Sequence, residues 1–204
     1  SIYQSRTLKM NQTINLLTSH RSIRKFTDDP VDPDLFTTLV EAAQASASSS
    51  FLQGVTIIRV TDPGKRVALR DVAGGQAYVE TAPEFLVFCA DLSRPMRCCR
   101  QLGGTPAEGL TEQFVIATVD AALYAQNLVI AAESAGLGIC YIGALRNDPA
   151  KVTELLDLPK QVYPVFGLCL GHPAQDPEVK PRLPVSVTLK TDSYSTDGED
   201  EAIA

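Results

Sequence analysis

Residues 111–135 carry the spacing of a long helix but almost no polar side. Phe114, Val115, Ile116, Val119, Ala121, Ala122, Leu123, Ala125, Leu128, Val129 and Ile130 surround its axis. A helix lacking a polar stripe has to be covered from every direction. A chain of 204 residues fits one domain, and a single domain of that size has little to spare for wrapping one helix completely. The expectation is that a partner subunit covers part of it.

The remaining pattern fills in around that helix. Residues 11–18 read as a short helix with Ile14 and Leu17 on its apolar side. Asp32 is placed to cap a helix begun by Pro33, and Leu35, Phe36, Leu39, Val40 and Ala43 form its stripe. A hydroxyl-rich turn over 46–50 precedes Phe51, then come a strand over 54–61 and a helix over 63–72 that Gly74 and Gly75 stop. Residues 84–91 are a near-continuous apolar run, expected as a strand buried on both faces. Residues 93–110, with Pro, Gly and Arg throughout, are expected as a loop or lid. Beyond the long helix lie a strand over 139–145, a short helix from Asp148 to 158, a strand over 162–170 and a candidate fifth strand over 185–191. Residues 1–9 are weakly patterned and read as an expression remnant, and the acidic tail 195–204 reads as flexible. The expected fold is α+β, a mixed α/β sandwich in one domain over 1–204, with helices on both faces of a central mixed sheet.

Net charge is −6, from 18 Lys and Arg against 24 Asp and Glu. An acidic chain is a poor partner for nucleic acid, which needs a broad basic surface. No apolar run is expected to span a membrane and no signal peptide is visible. Cys89, Cys140 and Cys169 sit in apolar runs as small buried hydrophobes. Cys98 and Cys99 are flanked by Arg97 and Arg100, which would lower the pKa of an exposed thiol. An odd count of five cysteines without ligand spacing fits a reducing cytoplasm. With only His20 and His172 available, no metal site is expected.

Against that acidic background two compact cationic sites stand out: His20-Arg21-Ser22-Ile23-Arg24 and Lys180-Pro181-Arg182. Tight basic clusters on an acidic chain suit one small anion, and a phosphate monoester matches the Arg fork and the Lys point charge. Ser48, and Ser50 with Phe51, offer hydroxyls and a ring; Gln76 after Gly74-Gly75 pairs a donor with an acceptor, as a heterocycle edge requires. Tyr141-Ile142-Gly143-Ala144 ends a strand in small residues, so a planar ligand can approach the backbone. Glu112 and Arg146 are expected in structural ion pairs. Neither usual nucleotide loop is present.

Taken in order, H-R-S-I-R-K-F-T-D-D-P, S-S-S-F-L-Q, G-G-Q, A-A-E-S-x-G-L-G-x-x-Y-I-G-A-L-R-N, F-G-L-C-L-G and K-P-R-L-P resemble the FMN-dependent nitroreductase superfamily, in particular its oxygen-insensitive NADPH nitroreductase and flavin reductase subgroup. The likeness runs from about Met10 to Tyr194 and is poorest over 93–110. It implies an intertwined homodimer with non-covalent FMN at the interface. It also implies ping-pong two-electron transfer from NADPH or NADH to nitroaromatics, quinones or related small acceptors. Supply of free reduced FMN, or flavin storage without turnover, are the alternatives. The resemblance assigns His20, Arg21, Ser22, Ile23 and Arg24, with Lys180, Pro181 and Arg182, to the phosphate and ribityl end. It assigns Ser48 and Gln76 to ribityl and ring polar atoms, and Tyr141, Ile142, Gly143 and Ala144 to the ring. Ser50 and Phe51 are the expected acceptor contacts, and no side chain is expected as an indispensable acid, base or nucleophile. The subgroup's Arg-rich C-terminal extension has no counterpart in these residues, which end in an acidic stretch; NADPH preference therefore rests on the resemblance alone.

Overall fold

β2 (Glu84–Asp91) is buried along its whole length, and its side chains alternate between two cores, as a pleated strand requires. Phe85, Val87 and Cys89 enter one core with Leu69, Val79, Ile142, Leu145 and Val152. Leu86 and Phe88 enter the other with Leu39, Ala43, Ala125, Leu128 and Val129. Around β2 the sheet runs β1 (Val55–Arg59), β2, β4 (Val162–Gly171), β3 (Gly138–Ile142). The computed structural model describes residues 11–204; the reading of residues 1–9 as a remnant lies outside them.

The α+β class is as expected. Within the described chain, however, every strand pair is antiparallel rather than mixed. One face carries α3 (Pro63–Val72), α4 (Tyr78–Thr81) and α7 (Pro149–Leu155), the other α2 (Pro33–Gln44) and α6 (Thr111–Ser134). Three helices start on the same device, an Asp cap followed by Pro. The Asp32 carboxylate accepts from the Leu35 N–H at 2.9 Å, Asp62 from Lys65 at 2.8 Å and Asp148 from Lys151 at 2.9 Å. Each cap contributes about 1 kcal/mol, and proline at the first helical position gives up only an unused N–H.

Within one chain α6 is covered on one side. Ala117, Asp120, Ala121, Ala125, Leu128, Val129 and Ala132 face inward and are buried. Phe114, Val115, Val119 and Leu123 remain exposed on the other side. By length and composition this helix could cross a membrane, which corrects the expectation that no run reaches that length. In the fold it packs on α2 and the sheet.

Four other expectations give way. Residues 93–101 are not a lid but α5 (Ser93–Gln101), leaving only 102–110 as loop. Pro95 falls in its first turn, where it is tolerated, and Met96 is buried beside Ala117 and Ala121. The candidate fifth strand is a single helical turn, α8 (Val185–Thr188), closed locally by the Val187 N–H on Pro184 O at 3.0 Å. The third strand stops at Ile142, and Gly143–Asn147 forms a 3₁₀ turn. The tail expected as flexible carries α9 (Glu199–Ile203), where Glu199 Oε1 lies 2.6 Å from Lys190 Nζ. One further short helix, α1 (Gln12–Thr18), is capped by Asn11 and lies against α6.

Candidate functional site

The two cationic segments meet. His20, Arg21, Ser22 and Arg24 line a recess of ≈ 100 Å³ together with Glu178, Lys180 and Arg182. The basic segment is held there by main chain: the Ile23 N–H donates to Ile139 O at 2.8 Å, and the Arg24 N–H to Gln175 Oε1 at 2.7 Å. Ile23 is buried against Gly138, where a Cβ would come within 2.7 Å of the Ile23 side chain. Glycine at 138 is therefore required for the segment to lie this close to β3.

Acids from elsewhere back the cations. His20 Nδ1 is 2.5 Å from Glu133 Oε1 on α6. Arg21 pairs through Nη2 with Asp176 and donates from Nη1 to Ser19 O at 3.2 Å. Its Nε is buried with no partner among the described residues. Arg24, Lys180 and Arg182 form no ion pair among the described residues.

Among the described residues β3 is an edge strand, paired only with β4. Because alternate residues of a strand turn their peptide groups to the same side, the geometry that presents Ile139 O to Ile23 turns the Tyr141 peptide groups to the same open edge. Tyr141 packs edge-on against Phe166 at 5.1 Å and donates to Gln126 Oε1 at 3.1 Å. Burial pushes its hydroxyl well above the usual tyrosine range, with Glu133 adding to the shift. Ile142 is fully buried, whereas Gly143 and Ala144 are half-buried. Arg146 lies beneath the turn: a Cβ on Gly143 would sit 3.0 Å from its Nη2, and its Nη1 donates to Val165 O at 2.7 Å. It serves backbone, not the expected ion pair. Gln76 donates to Ala73 O at 2.8 Å and accepts from the Tyr78 hydroxyl. Burial raises the Tyr78 pKa, and the nearby Arg24 opposes it.

Ser48, Ser50 and Phe51 are elsewhere. Ser48 and Phe51 border a second cavity of ≈ 570 Å³, with Leu52, Gln53, Arg94, Pro95, Cys98, Asp120 and Tyr124. Ser50 is not among the lining residues. Ser50, Phe51 and Gln53 all have positive φ, at 49°, 54° and 53°, a left-handed backbone that costs about 1–2 kcal/mol per non-glycine residue. Phe51 is 78% exposed. Asp120 is 2% exposed and accepts from Ser48 Oγ at 2.6 Å. Since Asp120 and Glu133 lie thirteen residues apart on α6, the loop anchor and the His20 anchor are separated by about 20 Å along the helix. One chain thus divides the expected site residues into two groups.

Asp120, Arg94, Glu133, Asp176 and Tyr78 were not anticipated. Asp120 did leave a signal, as a lone carboxylate within an apolar helix. Glu84 is another buried acid, accepting from Arg59 Nε at 2.7 Å on the neighbouring strand.

The fold and the recess define an α+β sandwich domain with a cation-lined pocket beside an open strand edge, and the chain belongs to the nitroreductase family, whose profile matches residues 17–172. It is 50% identical over 187 residues to the oxygen-insensitive NADPH nitroreductase of Salmonella typhimurium, covering 91% of this chain and 75% of that protein. It is 48% identical over 193 residues to an FMN reductase (NADPH) of Bacillus subtilis, covering 94% and 78%. Among solved structures, the NADPH:FMN oxidoreductase from Vibrio harveyi complexed with NAD+ superposes with a TM-score of 0.89 at 48% identity, over 94% of this chain and 81% of that one.

Proposed function

We propose that this chain is an FMN-dependent oxidoreductase that transfers two electrons from NAD(P)H to nitroaromatics, quinones or flavins. The observation that carries it is the convergence of residues 20–24 and 180–182 on one recess. A site with three cations and a guanidinium Nε that lack partners among the described residues suits the phosphate of FMN, since anionic oxygens supply acceptors. When bound, FMN supplies the chemistry, two-electron transfer between nicotinamide and acceptor.

The protein's residues bind and orient. His20, Arg21, Ser22 and Arg24, with Lys180 and Arg182, hold the phosphate and ribityl end, and Pro181 stiffens the second cationic segment. Gln76 offers its amide to ring polar atoms, while the open edge at Tyr141 and the small residues Gly143 and Ala144 let a flat ring lie along backbone. Cations near that edge, Arg24 and Arg146, favour negative charge there.

The site is completed by a second copy. The exposed face of α6, with Phe114, Val115, Val119 and Leu123, is the apolar surface such a copy would cover. It would also bring the Ser48–Phe51 loop of one protomer to the cation recess of the other, which one chain keeps apart. Ser48 then meets the ribityl chain, and Ser50 and Phe51 meet the acceptor. A cytoplasmic setting fits the free cysteines. NADPH is the preferred donor by likeness to the relatives' names.

The test is optical. Purified protein is expected to be yellow, to bleach anaerobically on adding NADPH and to recover colour with a quinone. A preparation that takes up FMN but is bleached by neither nicotinamide would instead establish flavin storage.

A further inference from the structure

The 48–54 loop holds three left-handed residues, and strained backbone of this kind persists only where its surroundings enforce it. Two charged side chains do so from different helices. Asp120 on α6 accepts from Ser48 Oγ at 2.6 Å, the Ser49 N–H at 3.1 Å and the Gly54 N–H at 3.2 Å. Those donors bracket Ser50, Phe51 and Gln53. Arg94 on α5 donates to Gln53 O and to Val55 O, both at 3.1 Å. The acid thus takes donors at the two ends of the loop, and the base takes carbonyls at its exit. Ser48 Oγ ties the two ends further, accepting the Gln53 N–H at 2.8 Å while donating to Asp120. Arg94 is itself fixed by Thr56 Oγ1 at 2.7 Å and Asp91 Oδ2 at 3.3 Å.

We propose that Asp120 and Arg94 are positioning residues that hold Phe51 at the mouth of the ≈ 570 Å³ cavity and thereby set how a flat acceptor seats against its ring. This rests on the function proposed above. Asp120 and Arg94 line that cavity beside Phe51, Leu52, Pro95 and Tyr124, their hydrogen bonds directed at the loop and, for Arg94, at Thr56 and Asp91 as well. A carboxylate suits the first clamp because it only accepts; an amide in its place would turn a donor toward one of the three donors.

The experiment compares the FMN-loaded wild type with Asp120→Asn and Arg94→Gln. Menadione serves as the acceptor. The expected result is a rise of about tenfold in KM for menadione with a much smaller change in kcat. Cleavage within 46–54 by a non-specific protease should accelerate about tenfold while the unfolding midpoint moves little, because only the loop is released. Should Asp120→Asn fail to fold, Arg94→Gln, at an exposed side chain, carries the same expectation. A wild type that turns over while both variants keep its KM and its cleavage rate overturns the clamp. A wild type that no nicotinamide bleaches overturns the proposed function, while faster loop cleavage in the variants would still uphold the clamp.

Discussion

In the recess around residues 20–24, three cations have no ion-pair partner among the described residues, whereas around the 48–54 loop both charged side chains are tied by hydrogen bonds to the loop itself. The first arrangement keeps attraction in reserve for an anion that arrives from solution. The second converts charge into shape. Asp91 belongs with the second group: its carboxylate caps α5 through the Ser93 N–H at 2.9 Å, accepts from Thr56 at 2.7 Å and braces Arg94. The lesson is that counting charges near a cavity says little until their hydrogen bonds are assigned.

The sharpest way to break this contrast is Arg24→Ala. Removing a cation held in reserve should cost about 2–5 kcal/mol of FMN affinity, as for one partner of a desolvated charge pair. Flavin fluorescence titration measures it; unaltered affinity would place the phosphate elsewhere. Next comes Val119→Asp, on the exposed face of α6. It should weaken self-association by about 2 kcal/mol or more, as at an interface centre, with FMN lost alongside. Sedimentation at several concentrations reads the first effect, and a dimer that persists would detach the two halves from one another.

The third effect concerns pH. Burial pushes the Asp91 carboxyl up, but hydrogen bonds from Ser93, Thr56 and the Arg94 N–H, with the Arg94 charge, outweigh it and hold the group below the usual carboxylate range. A depressed folded pKa stabilises the native state above the ordinary carboxylate pKa, and that stabilisation is lost as pH falls through the folded value. Urea unfolding at stepped acid pH should show Asp91→Asn with a shallower acid limb than wild type. The smallest effect belongs to Ser50→Gly. Glycine relieves a left-handed position at some cost in chain entropy, for a net gain of about 1 kcal/mol or less. Thermal unfolding would reveal a clear loss instead if the serine side chain anchors the loop.

Much of the architecture was legible from local chemistry. The Asp-Pro pairs at 32–33, 62–63 and 148–149 announce helix starts, and the unbroken apolar run of β2 announces a central strand. α5 was not legible because Pro95 and three arginines mimic a loop, while its single buried anchor, Met96, shows no period. Val185 and Val187 alternate like a strand, but four residues with no ladder partner settle into a turn. At the site the cations could be read by type. Their acidic counterparts could not: Glu133 lies 113 residues from His20, Asp176 lies 155 from Arg21, and Asp120 lies 72 from Ser48. No local pattern encodes contacts formed only by folding.

The long helix that carries Asp120 and Glu133 also works as a screw. Thirteen positions turn the two carboxylates roughly 140° apart about the axis, so each looks out over a different flank of the sheet layer. Deleting one residue between them would spin one end by about 100° relative to the other, and no side-chain adjustment could restore both anchors. The pitch of α6, more than any single contact, therefore fixes which lengths of this segment a working descendant can tolerate.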